Sequence, residues 1–252
     1  MTTIKEFCPG LWLTDLVLAE FDVRGKVIVG EERVVVWDTL SHPRDMEPIL
    51  PLIEGKQLII VYTHADWDHV WGTDGLPYGH ASIIGHTMCR ERFSGDVPRY
   101  LAGRQKAQPG QWDEVVLVPP NVSFRGELDL DLGGVTLALH YLPGHTLDCL
   151  VGFLPEWGIL LAGDTVETPL PVVNDASPVD RWLVALEQWA HNIRVQTVIP
   201  AHGPIGGREL IRHNIDYLQR LAAGEPIDLS ETLTEFYIET HQANLRHVQN
   251  KA

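Results

Sequence analysis

The stretch Thr63-His64-Ala65-Asp66-Trp67-Asp68-His69 follows directly on an apolar run, Leu58 to Tyr62 (LIIVY). The run reads as a strand buried on both faces. Four side chains able to bind a metal, His64, Asp66, Asp68 and His69, then fall within six residues. On a turn they can converge on a small volume, which a helix or strand would not allow. His64 and Asp66 are two apart and Asp68 adjoins His69, so an irregular loop can aim them at two neighbouring ions. Each alone has an ordinary reading, as a capping aspartate or a hydrogen-bonded core histidine. All four together point to a metal.

Three later positions match in kind. Pro143-Gly144-His145-Thr146 follows a predicted strand ending at His140, Ala162-Gly163-Asp164-Thr165 one ending at Ala162, and Pro200-Ala201-His202-Gly203 one ending at Ile199. Each pairs a strand end with a small residue and then a ligand-capable side chain. Gly144, Gly163 and Gly203 let the backbone turn tightly there.

Around these sites, Val27–Val29 and Val34–Trp37 flank a turn and read as a hairpin, Glu127–Leu132 and Val135–His140 alternate around Gly133-Gly134, and Ser82–Ile84 is a short strand. Leu150–Leu154 pairs with Gly158–Ala162, and Thr197–Ile199 is the last strand. Ser177-Pro178 predicts a helix start, followed at helical spacing by Val179, Trp182, Leu183, Leu186, Trp189 and Ala190. A second helix runs through Leu210, Ile211, Ile215, Leu218 and Leu221 to a stop at Gly224, and a third begins near Glu231 with Leu233, Phe236 and Tyr237 on one face. Residues 90–121 show the least pattern and read as a covering loop or a surface excursion. No repeat or linker divides residues 1–252, which are taken as one domain.

Together the motif and the three later loops resemble the metallo-β-lactamase superfamily, whose pattern is HxHxDH followed by a histidine, a bridging aspartate and a final histidine. The spacings of 81, 19 and 38 residues from His64 to His145, Asp164 and His202 fit a compact member. The resemblance implies a four-layer αβ/βα sandwich of two mixed β-sheets flanked by helices. It implies two divalent ions: His64 and His145 on one, Asp68, His69 and His202 on the other, and Asp164 bridging. Asp68 would also orient or deprotonate the attacking water, and Asp38 would brace a ligand from behind.

Asp66 departs from the pattern, standing where most members have histidine. It either ligates or lies outside a weakened first site. As a ligand it lowers the net charge: two divalent ions against three carboxylates and a hydroxide come to zero, one unit below a site with histidine there. The imidazoles keep zinc as the first expectation, and the added oxygen tilts the site towards iron or manganese. An acidic residue here resembles the flavodiiron proteins (HxExDH), which carry a flavodoxin domain after the metal domain; we expect none in these 252 residues, so a redox reading calls for a separate partner. A non-catalytic metal-binding scaffold is the third reading. The economical one is hydrolysis of a small ester, thioester, lactone or phosphoester.

The remaining candidates are weaker. Trp67 and Trp71 either wall the pocket or pack beneath it, Glu167 lies on a rim or in a solvated loop, and His86 reads as structural. Cys89 and Cys149 read as buried small hydrophobes. The other histidines, His42, His80, His140, His191, His213, His241 and His247, are assigned to surface or capping roles.

Composition narrows the partners. The chain has 252 residues, 19 basic and 34 acidic, for a net charge of −15. That balance disfavours nucleic acid and anionic membranes. Three scattered cysteines without a CxxC pair, and an N-terminus without a signal-peptide pattern, lead us to expect a cytoplasmic protein acting on a small molecule. A secreted β-lactamase is disfavoured on the same ground. The hydroxyacyl-glutathione hydrolases are nearer in size but keep histidine where this chain has Asp66.

Overall fold

The computed structural model describes residues 1–227 and 233–249. The chain divides into two compact units, Met1–Leu18 with Asp22–Leu137 and Ala19–Phe21 with Ala138–Ala252. There are two mixed β-sheets, flanked by helices. No helix among the described residues is long and apolar enough to cross a membrane.

The first unit is built on a seven-stranded sheet in sequence order: β1 (Thr3–Cys8), β2 (Leu11–Val17), β3 (Asp22–Val29), β4 (Arg33–Trp37), β5 (Gln57–Val61), β6 (Ser82–His86) and β7 (Val122–Phe124). β1 to β4 pair antiparallel, and β4 to β7 pair parallel. The predicted β3–β4 hairpin and the buried strand β5 form. β4 and β5 carry continuous β-branched and apolar side chains because both faces are covered. β1 and β2 were not expected; β1 is an edge strand, exposed over most of its length and without apolar alternation, whereas β2 buries Leu11, Leu13 and Leu16. Short helices follow the strands: α1 (Leu50–Ile53), α2 (Trp67–Val70), α3 (Thr87–Arg92) and α4 (Asp96–Ala107). α4 corrects the irregular reading of residues 90–121. It is mostly polar and holds the core through Val97 and Leu101 alone, so its sequence shows no broad apolar stripe.

The second sheet has the order β12-β11-β10-β9-β8, from β8 (Glu127–Asp131), β9 (Thr136–Tyr141), β10 (Leu150–Leu154), β11 (Ile159–Gly163) and β12 (Thr197–Pro200). β9–β10 and β10–β11 are antiparallel and β11–β12 is parallel. Helices α5 (Val179–His191), α6 (Arg208–Ala223) and α7 (Glu235–Gln249) bury their apolar stripes in the second unit's core, with Trp182, Leu186, Ile211 and Leu218 at most 1 % exposed. Burial of each such side chain contributes roughly 1.5–3 kcal/mol. Gly224 ends α6 in the left-handed region at φ 67°, as expected. The predicted start of the last helix, Glu231, lies outside the described residues; α7 is described from Glu235. Ser177 does not cap α5. Pro178 occupies that position, and the Ser177 hydroxyl donates instead to the His145 carbonyl at 2.6 Å.

Candidate functional site

In the first unit the ligand-capable residues gather where parallel strands end. β4 and β5 run in register, Trp37 opposite Val61, so Asp38 and the loop 62–69 leave from the same edge. Asp38 sits at φ 60°, unusual for a residue other than glycine, and is 1 % exposed. Its Oδ1 accepts from the Thr63 amide at 2.8 Å, and its Oδ2 accepts from the Thr63 hydroxyl and from His69 Nδ1, each at 2.9 Å. These bonds fix two tautomers. A carboxylate can only accept, so the His69 proton is on Nδ1. The Thr63 hydroxyl has spent its one hydrogen on Asp38 and therefore accepts from His64 Nδ1, at 3.0 Å. Both imidazoles thus carry their lone pair on Nε2. His64 Nε2 lies 3.4 Å from Asp66 Oδ2 and His69 Nε2 lies 3.8 Å from Asp68 Oδ2. Both rings are fully buried, with centroids 4.2 Å apart.

Asp66 is held from its other side. Arg92 Nη2, at the end of α3, donates to Asp66 Oδ1 at 2.7 Å, while its Nε donates to Asp96 Oδ2 at 3.1 Å and its Nη2 to the same oxygen at 2.8 Å. Sequence reasoning missed Arg92, because only the fold brings α3 back to the motif loop.

In the second unit β9, β11 and β12 run in one direction, so the loops bearing His145, Asp164 and His202 leave one edge of the sheet. Asp164 faces two imidazoles: its Oδ1 is 3.4 Å from His202 Nε2 and its Oδ2 is 4.0 Å from His145 Nε2. His145 Nδ1 donates to the Val172 carbonyl at 2.9 Å. Two glycines permit the approach. A Cβ on Gly144 would lie 2.6 Å from Trp182 Nε1, and one on Gly203, at φ 92°, would run into Thr168.

The segment that presents Val172 is pinned by two buried asparagines that sequence reading passed over. Asn214 of α6 accepts from the Glu167 amide and donates to its carbonyl. Asn244 of α7 accepts from the Val173 amide and donates to the Pro171 carbonyl. Asn214 interrupts the apolar stripe Ile211, Ile215, Leu218, and a buried amide on such a stripe is the signal that could have found it.

Glu167 is neither a solvated loop residue nor an open rim. It is 2 % exposed, and Tyr237 donates to its Oε1 at 3.4 Å. Burial pushes its carboxyl up to about 7, with nearby Asp164 adding to the rise and His202 and His145 opposing it. Because the folded value exceeds the unfolded one of 4.5, the stabilisation is full below 4.5 and is lost as pH rises to about 7. In metal-free protein Glu167→Gln should therefore match wild type near pH 4 and exceed it by roughly 2–3 kcal/mol at pH 8, as read by urea unfolding. A constant difference across that range would refute the assignment.

Trp71 is fully buried and packs edge-on to Trp112, so it supports the motif loop from the core instead of walling a pocket. Trp67 is half-buried beneath the Arg104 guanidinium, 5.0 Å from its ring centroid. His86 Nδ1 accepts from the Met88 amide and Nε2 donates to the Arg125 carbonyl, a structural role at the start of α3. His42 likewise caps, accepting from the Arg44 amide. Cys89 and Cys149 are buried, and burial pushes the Cys149 thiol well up.

The family model of the metallo-beta-lactamase superfamily matches residues 27–191. A type 2 metallo-beta-lactamase from Bacillus sp. (strain 170) is 35 % identical over 189 residues, 73 % of this chain and 66 % of that protein. One from Bacteroides fragilis is 34 % identical over 158 residues, 57 % of this chain and 61 % of that protein. A hydroxyacylglutathione hydrolase from Anaeromyxobacter dehalogenans (strain 2CP-C) is 31 % identical over 109 residues, 42 % and 32 % of the two chains. The matches thus span less than two thirds of these relatives' own lengths. Among solved structures, a metallo-beta-lactamase from Pontibacter korlensis superposes with TM-score 0.69 at 20 % identity, covering 87 % of this chain and 99 % of that one. FIM-1 from Pseudomonas aeruginosa, in its mono-zinc form, gives 0.68 at 20 % identity, covering 89 % and 97 %. These two likenesses concern the fold alone. From the matched family model and the Bacillus relative, the chain belongs to the metallo-β-lactamase superfamily.

Proposed function

We propose that the protein is a metal-dependent hydrolase of a small ester, thioester, lactone or phosphoester. The proposed ligand set is His64, Asp66 and His145 for one ion and Asp68, His69 and His202 for a second, with Asp164 between them. The observation that carries this reading is the bonding behind the histidines. Asp38, acting directly and through Thr63, fixes both His69 and His64 with Nε2 as the acceptor atom, and the Val172 carbonyl does the same for His145. Imidazoles braced in this way, with Nε2 facing carboxylate oxygens, are the donor set a divalent cation needs. Relatives named as metallo-beta-lactamases and as a hydroxyacylglutathione hydrolase support hydrolysis as the reaction class.

Ions held there would polarise the carbonyl or phosphoryl oxygen of the substrate and make a water acidic enough to attack at neutral pH. The protein's own part is positional. Asp68, 5 % exposed beside His69, accepts the proton of the attacking water. The bonds from Asp38 and Val172 keep the imidazoles from turning. Asp66 brings an extra oxygen donor, which favours iron over zinc more than histidine would and gives the redox reading its one support.

Metal analysis decides between them. Protein purified without a metal-affinity tag should hold about two zinc ions per chain and turn over members of a panel of thioesters, lactones and phosphodiesters, with activity lost to a chelator and restored by zinc. Bound iron with dioxygen or nitric oxide consumption, and no hydrolysis, would overturn the proposal.

A further inference from the structure

We infer that Arg92 is a positioning residue, which holds the Asp66 carboxylate as a one-oxygen donor beside His64. The inference rests on the reading of Asp66 as a ligand. A histidine at position 66 would offer a neutral, rigid ring with one donor nitrogen to the site. An aspartate is charged, can swing about two torsions and can chelate through both oxygens. Arg92 removes that freedom. Its Nη2 engages Oδ1 at 2.7 Å, and Oδ2 is left 3.4 Å from His64 Nε2.

The guanidinium is itself fixed. Three bonds tie Arg92 to Asp96, one turn onward where α4 begins, at 2.8, 3.1 and 3.3 Å. The turn Phe93–Gly95, closed by backbone bonds from Phe93, Ser94 and Gly95 to the last residues of α3, sets that spacing. Arg92 and Asp66 are each about three-quarters buried, so the Asp66 pair is shielded while Asp96 stands half exposed. Two carboxylates surround one guanidinium, which already neutralises its charge. Removing Arg92 therefore relieves little repulsion on a bound cation but frees the carboxylate to rotate. Orientation outweighs charge.

A double-mutant cycle tests this. Arg92→Met and Arg92→Lys are made in the wild-type and Asp66→His backgrounds. Zinc affinity is read by competition with a chromophoric chelator, and site geometry by the visible spectrum of the cobalt(II)-loaded protein. Arg92→Met should weaken one of the two ions by about tenfold or more with Asp66 present and change its cobalt spectrum, with Arg92→Lys recovering part of the loss. In the Asp66→His background the same change should leave zinc affinity within about twofold, because no carboxylate remains to be held. Equal or tighter binding on Arg92→Met would overturn the inference, as would equal losses in both backgrounds, the mark of a merely structural arginine. A wild-type protein that bound no zinc would instead remove the ligand reading beneath it.

Discussion

Asp164→Ala is expected to release at least one of the two proposed ions and to lower kcat/KM by about a hundredfold to a thousandfold, the scale at which loss of a preorganised group acts on catalysis. Asp164 is 6 % exposed, and each of its carboxylate oxygens faces a different imidazole, His202 at 3.4 Å and His145 at 4.0 Å. Without it the two rings keep their loops and glycines but lose the anion between them. The buried cluster then has less negative charge with which to hold cations. Elemental analysis after gel filtration reads the stoichiometry, and thermal unfolding of the metal-free variant reads the fold. The melting temperature without metal should stay close to wild type, since removing Asp164 takes no apolar surface from the core. Retention of both ions would end the bridging assignment.

The motif residues were legible because chemistry confines them. Metal-binding side chains are chiefly His, Cys, Asp and Glu, and strand ends place them here, so His64, Asp66, Asp68, His69, His145, Asp164 and His202 stood out as candidates from type and position. Asp38 was legible from its place after β4. The groups that aim these ligands were not. Asn214, Asn244, Ser177 and Arg92 act through hydrogen bonds to residues far away in the chain, and apart from the break Asn214 makes in its apolar stripe, nothing in their local sequence marks those partners. Trp71 and Glu167 stayed open for a related reason. Adjacency to a ligand in sequence left Trp71 between a pocket wall and core packing and Glu167 between a rim and a solvated loop, whereas α2 turns Trp71 into the core and the pinned segment 167–173 buries Glu167. Helix α4 escaped because two buried side chains suffice to dock a mostly polar helix, and two leave no apolar stripe to read.

Asp38 carries the second large effect, and two substitutions there should separate stability from metal binding. Asp38→Ala removes the acceptor of three hydrogen bonds at once, leaving the Thr63 amide, the Thr63 hydroxyl and His69 Nδ1 to be satisfied in a buried place. It should cost about 3–5 kcal/mol of stability in urea unfolding of the metal-free protein, since each buried donor left without an acceptor costs about 1–3 kcal/mol. Asp38→Asn is nearly the same shape, and asparagine tolerates the φ of 60° as well as any residue but glycine. Its Oδ1 can still accept from the Thr63 amide. Its Nδ2 then meets His69 Nδ1, and a donor there is satisfied only if the imidazole carries its proton on Nε2, the atom a metal needs bare. The Thr63 hydroxyl also loses its acceptor and is released to donate to His64 Nδ1, reversing that tautomer as well. Asp38→Asn is therefore expected to keep most of the stability lost in Asp38→Ala, yet to weaken zinc by about 10- to 100-fold, the usual effect of disturbing the group behind a ligating histidine. Chelator competition beside urea unfolding measures both. Wild-type zinc affinity in Asp38→Asn would mean that the tautomers are set elsewhere. Parallel losses of stability and affinity in the two variants would mean that Asp38 acts on the metal only through the fold.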